Sequence, residues 1–266
     1  MKTNMLKSGV FLLSGIALCM GYSCSKDDSS VTSDQELSQT EVKTVLEADD
    51  LSGIADDIVS EAYMNNSNSG KSAKGTNQCY AAVYDDNGFT MTFENCNIRN
   101  HENVNGVLNV VYTGQGENAS FMVTYDNFSV GDIEFNGTRS FTMEMGSNQN
   151  SVAYNVTSDL IITKANGNVL EVIGSKGVLI TFGETLEDIT FSITGKWSVN
   201  EGPNRYSLDV KEALVGNLAC EFLTQGVLEI NKNGLVVSID WGDGECDDTA
   251  TLIYPNDVKT DFSLRD

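Results

Sequence analysis

The sequence predicts a mainly β protein: an antiparallel meander, built as a half-barrel or a sandwich, behind one short N-terminal helical segment. Three observations predict it. From residue 78 to about 254 the chain runs through short segments such as FTMTFENC, GVLNVVYTG, ASFMVTYDNF and RSFTMEM that alternate apolar and polar residues. In the first, Phe89, Met91 and Phe93 alternate with Thr90, Thr92 and Glu94, the period of a strand with one buried face. Asn-Gly, Gly-Asp and Gly-Glu pairs separate these segments, and with 24 Gly against 2 Pro the turns fall to Gly, Asn and Asp. No βαβ rhythm interrupts them, which disfavours a parallel sheet.

The helical segment is expected over residues 39–64. Ser38 and Glu41 have capping-box spacing, a hydroxyl at the N-cap and a carboxylate three residues on. Val42, Val45, Leu46, Leu51, Ile54, Ala55, Ile58, Val59 and Ala62 then recur near a 3.6-residue period. DDLSG, residues 49–53, marks the expected break, giving one broken helix or two short ones. The polar residues 65–77 read as a linker loop, and residues 78–266 as the β-domain.

The chain's start reads as an address. Lys2 and Lys7 precede the apolar run GVFLLSGIALCM, of signal-peptide length and too short to span a bilayer. Ser23 then stands directly before Cys24, the arrangement lipoprotein signal peptidase requires, whereas Cys19 follows bulky Leu18. This resembles the relaxed lipoprotein signal of Bacteroidota, with residues 1–23 removed and lipid on Cys24. Lys26, Asp27 and Asp28 resemble the export signal that places such lipoproteins on the outer face of the outer membrane. Residues 24–38, rich in Ser, Asp and Thr, read as a flexible tether.

A formal net charge of −22 excludes nucleic acid, whose backbone needs clustered Lys and Arg. Four cysteines remain in the mature chain beside Cys24, in a compartment that permits disulfides. A two-residue Asn87-Gly88 turn would pair Asp86 with Phe89 and set Cys79 opposite Cys96 at a non-hydrogen-bonded site. There the Cα atoms stand about 4.5 Å apart, within the roughly 4.4–6.8 Å a disulfide spans. The same register places Tyr80, Ala82 and Tyr84 on one face with Phe89, Met91 and Phe93, and both cysteines on the other. An Asn233-Gly234 turn would pair Leu228 and Ile230 with Ile239 and Val237. It leaves Cys220 and Cys246 out of step by one residue, which a bulge within WGDGEC, residues 241–246, would repair. The expected disulfides are therefore Cys79–Cys96 and Cys220–Cys246.

No metal or cofactor is expected. There is no C-x₂-C, His101 is the sole histidine, and DWGDGECDD fails the EF-hand spacing. No nucleophile-elbow, Walker, zinc-protease or dinucleotide fingerprint is present, so no catalytic residue is assigned. Trp197, Trp241 and Tyr206 are the candidate ligand-facing aromatics, with Tyr112 and Tyr125 as further members of a glycan-stacking platform.

The order of pieces, from the capped acidic helix through FTMTFENCN and FMVTYDNFSVGDIEFNGTRSFTM to CEFLTQGVLEINKNGLVVSIDWGDGECDDTATL, is similar to a group of uncharacterised Bacteroidota lipoproteins. The resemblance covers most of residues 39–254 and carries no activity. It implies an exterior-facing outer-membrane lipoprotein held to the membrane by its lipid; the leading expectation beside it is a non-enzymatic envelope protein that binds a glycan or a partner protein. The rival expectations are a polysaccharide hydrolase or accessory, and a half-barrel carrier of a hydrophobic ligand with the helix as lid.

Overall fold

The computed structural model describes residues 37–67, 79–98, 100–114, 119–145 and 150–265. The expected signal peptide, Cys24, Lys26, Asp27, Asp28, nearly all of the expected tether and most of the expected linker lie outside the described residues. Among the described residues one α-helix, α1 (Gln39–Ser67), precedes thirteen strands. These are β1 (Tyr80–Asp85), β2 (Gly88–Ile98), β3 (His101–Gly114), β4 (Ser120–Val130), β5 (Ile133–Met145), β6 (Ser151–Thr163) and β7 (Val169–Thr181). They continue as β8 (Thr190–Glu201), β9 (Asn204–Asn217), β10 (Gln225–Lys232), β11 (Leu235–Asp243), β12 (Thr249–Ile253) and β13 (Lys259–Ser263). All thirteen form one antiparallel meander in chain order that does not close, with β1 and β13 as its edges. A single sheet excludes the sandwich.

α1 starts at the expected cap. Ser38 N–H donates to Glu41 Oε2 at 3.0 Å, and Glu41 N–H to Ser38 Oγ at 3.3 Å. Leu37, assigned to the tether, is buried instead, its carbonyl accepting from the Tyr254 hydroxyl. The break at residues 49–53 does not occur. Leu51 and Ser52 are buried on the sheet side, Ser52 Oγ donates to Ala48 O at 2.8 Å, and Gly53 lies on the exposed side. The roughly 1 kcal/mol that a glycine costs a helix interior is small beside burial of the stripe Val42, Val45, Ala48, Leu51, Ala55 and Ile58.

The sheet curls around that stripe. Asp57 of α1 faces His101 at the start of β3, while Leu37 meets Tyr254 directly after β12. Residues 37–57 span about 30 Å as helix, but nine strand spacings laid flat span about 43 Å. Inner-face residues from Met91 on β2 to Phe262 on β13 are nevertheless buried, as a sheet curved around the helix makes them. Gly174 in β7 marks one bend: its φ is +142°, and a Cβ there would lie 2.4 Å from Trp197 Cα on β8.

The hairpin registers correct and confirm the sequence reading in turn. Between β1 and β2 the turn is Asp86-Asn87 rather than Asn87-Gly88, with Asp85 paired to Gly88. Gly88 is needed inside the strand, since a Cβ would lie 1.9 Å from Val110 O on β3. The two-residue shift preserves the faces of Tyr80, Ala82 and Tyr84, but sets Cys79 opposite Glu94. A bulge at Asn95 (φ 52°) then brings Cys96 round to the buried side, and Cys79–Cys96 forms with Cα atoms 5.1 Å apart.

At β10–β11 the Asn233-Gly234 turn holds as read, both residues at positive φ, with Leu228 opposite Ile239 and Ile230 opposite Val237. The bulge falls within residues 241–243, but it adds its residue to β11 and moves the register away from the cysteines. Cys220 and Cys246 meet from the loops after β9 and β11 instead, Cα atoms 5.4 Å apart.

Candidate functional site: the open half of the concave face

α1 covers only part of the concave face. Its acids reach Lys232 at the end of β10, Lys164 just past β6, Lys176 midway along β7 and Arg139 midway along β5. Two residues past Arg139 on the same face of β5 comes Phe141, then Met143. Their neighbours fall in successive cross-strand rows. Phe121 on β4 pairs with Phe141, and Met143 with Tyr154 on β6, then Val178 on β7 and Ile193 on β8. Val152, Ile180 and Phe191 follow one step farther out. Met143 is 37% exposed, and Phe121, Tyr154, Val178, Ile193, Ile180 and Phe191 are half-buried. Phe121 and Phe141 stack with centroids 4.8 Å apart. The result is an apolar trough crossing five strands, about 19 Å at four strand spacings.

A charged border separates the trough from the helix-filled half. Arg139 is buried, with Nη1 donating to Ser52 O at 2.8 Å and lying 2.9 Å from Asp56 Oδ1. Its guanidinium stands 5.7 Å from the Phe141 ring centroid. Burial pushes the Asp56 carboxyl up to about 6, against the opposing pull of Arg139 and Lys176. Burial also raises the Tyr125 and Tyr154 hydroxyls, the charge of Asp56 adding to both. At the other end of α1, burial works to raise Glu41, but hydrogen bonds from Lys232, Ser38 and Tyr206 outweigh it and hold that carboxyl below its ordinary value. Lys176 pairs with Asp49 while lying 4.0 Å over the Trp197 ring.

The aromatics proposed to face a ligand are placed in the core. Trp197, Trp241 and Tyr206 are 5%, 4% and 0% exposed, and Tyr125 is buried too. Trp197 lies over Gly174 and Tyr206 hydrogen-bonds Glu41 at 3.0 Å, so each belongs to the helix–sheet packing. No stacking platform is left for them to form. In the open half of the concave face the aromatics are Phe121, Tyr154 and Phe191. Their alternation was legible, but which half of the inner face α1 leaves uncovered is not a local property of any strand.

The acidic turn DWGDGECDD spends its carboxylates locally. Asp240 accepts from Gly242 N–H and Asp247 from Thr249 N–H. Asp248 and Glu221 flank Arg265 in an open polar depression of about 460 Å³ beside the Cys220–Cys246 bridge. Among the described residues no cluster of three metal-ligating side chains is present, and no carboxylate is fully buried. His101 faces Asp57 at 3.8 Å. Among them too, no helix is long and apolar enough to cross a membrane.

Fold and trough together define a class, an open antiparallel half-barrel with a helix seated in part of its concave face. Comparison of the chain with protein-family models, with curated proteins and with solved structures finds no match.

Proposed function

We propose that this protein is an outer-membrane lipoprotein, anchored through Cys24 and facing the exterior, that carries a ligand with an extended apolar chain in the open half of its concave face. One observation carries the reading: inward-facing apolar side chains in two adjacent rows, Met143 to Ile193 and Val152 to Phe191, with the Phe121–Phe141 pair beside them, that α1 leaves open. The buried positions of Trp197, Trp241 and Tyr206 weigh against the glycan alternative.

The Cys24→Ser protein, free of the anchor, is expected to bind the neutral fluorophore N-phenyl-1-naphthylamine saturably and to release it to tetradecanol. Adding Met143→Glu sets a charge in the trough at an already exposed position, so folding survives while affinity falls about tenfold or more. Absence of saturable binding, or an unchanged affinity in the Met143→Glu protein, refutes the carrier reading. The anchor has its own measurement. Wild-type protein should sediment with outer membranes and the Cys24→Ser protein should not; sedimentation of both would rule lipidation at Cys24 out as the attachment.

A further inference from the structure

Where the trough meets the helix, the sheet buries two hydrogen-bond donors that the fold does not use. Arg139 Nε–H and the Tyr125 hydroxyl are both shielded from solvent and donate to no acceptor among the described residues. They are diagonal neighbours on the concave face, since Arg139 pairs with Val123 and Tyr125 with Gly137 across the β4–β5 ladder. A buried donor left unmade is costly, and polar groups so placed are ordinarily satisfied by protein, water or a ligand.

Their setting favours a ligand. Arg139 stands over Phe141, the residue with which the trough begins, and Asp56, which shares the guanidinium, is about a third exposed at the helix border. The charged and titratable groups around Asp56 are Arg139 on β5, Lys176 on β7, Tyr125 on β4, Tyr154 on β6 and Asp57 on its own helix. Asp56 is only an ion-pair neighbour of Arg139, its Oδ1 2.9 Å away without a well-aligned hydrogen bond. A planar guanidinium recognises planar anions, and a carboxylate matches it in shape and charge.

We propose that Arg139 and Tyr125 form the head-group seat of the trough and select an amphipathic carboxylate, with its chain laid along Phe141, Phe121, Met143 and Tyr154. This rests on the carrier reading and names the ligand class for the same site. Asp56 competes for the same guanidinium, so its removal strengthens the seat.

The test uses the Cys24→Ser protein and two displacing ligands of equal chain length, tetradecanoate and tetradecanol, against N-phenyl-1-naphthylamine at pH 8. Tetradecanoate is expected to bind about tenfold more tightly than the alcohol. Arg139→Gln should erase that difference while leaving the alcohol's affinity in place, and Asp56→Asn should widen it. Tyr125→Phe, which removes only a hydroxyl, should narrow it severalfold and serves equally if the Arg139→Gln protein does not fold. Equal affinity for acid and alcohol in the Cys24→Ser protein would show that the two donors hold only water, overturning the head-group seat and leaving the trough standing. Failure of both ligands to displace the probe overturns the seat and the carrier reading together.

Discussion

Replacing Phe128 by alanine is expected to destabilise the protein by about 3–5 kcal/mol, the usual cost of truncating a fully buried phenylalanine. For a chain of this size that corresponds to a fall in Tm of roughly 6–20 °C. Phe128 is 0% exposed, with its ring centroid 5.8 Å from Phe93 on β2, 5.8 Å from Tyr125 on its own strand and 6.0 Å from Phe135 on β5. It therefore joins three successive hairpins in one aromatic cluster. It reaches that place through a bulge between Tyr125 and Phe128, where Asn127 takes a φ of 45° and its N–H donates to Asn136 Oδ1 at 3.2 Å. Neighbours held by strand pairing cannot close over the cavity, so little of the lost packing is recovered. Urea unfolding of the Phe128→Ala protein measures the effect, with Val83→Ala as control at a 70% exposed edge position, expected within about 0.5 kcal/mol of wild type. A loss below about 1 kcal/mol for Phe128→Ala would show that the cluster does not join the hairpins.

What the sequence made legible follows from how local each signal is. Alternation and turn residues act over a few positions, so the meander, the cap at Ser38 and the Asn233-Gly234 hairpin could be read from the chain. The dipeptide Asn87-Gly88 carries the same turn signal and yet does not make the turn. Gly88 serves the approach of Val110 on β3, which is more than twenty residues away in the chain. The same limit misplaced the aromatics. Trp197 and Tyr206 look like any strand aromatics in sequence, and only the position of α1 decides that they are buried while Phe121 and Phe191 stay half-open. The helix itself was underestimated for a related reason: DDLSG is a plausible stop until the buried face on either side of it is counted.

Removing the two disulfides one at a time is expected to reveal different local roles behind similar global costs. In the chain-entropy account, loops closed over sequence separations of 17 and 26 residues contribute about 3 and about 3.5 kcal/mol. Cys79–Cys96 ties the start of β1 to the bulge of β2, and β1 is an edge strand with β2 as its one neighbour in the sheet. Without the bridge, the six-residue strand depends on its pairing with β2 and on the aromatic contacts Tyr80–Phe93 and Tyr84–Phe89. Amide exchange of residues 80–85 should therefore accelerate in the Cys79→Ser/Cys96→Ser protein well before the rest of the sheet opens. Cys220–Cys246 ties two loops whose strands are already paired with neighbours on both sides. Its loss should lower global stability without singling out any strand. Urea unfolding and residue-resolved hydrogen exchange separate the two cases. Uniform protection across β1 to β13 in the Cys79→Ser/Cys96→Ser protein would show that strand pairing alone holds the edge, and that the first disulfide acts only on the unfolded chain.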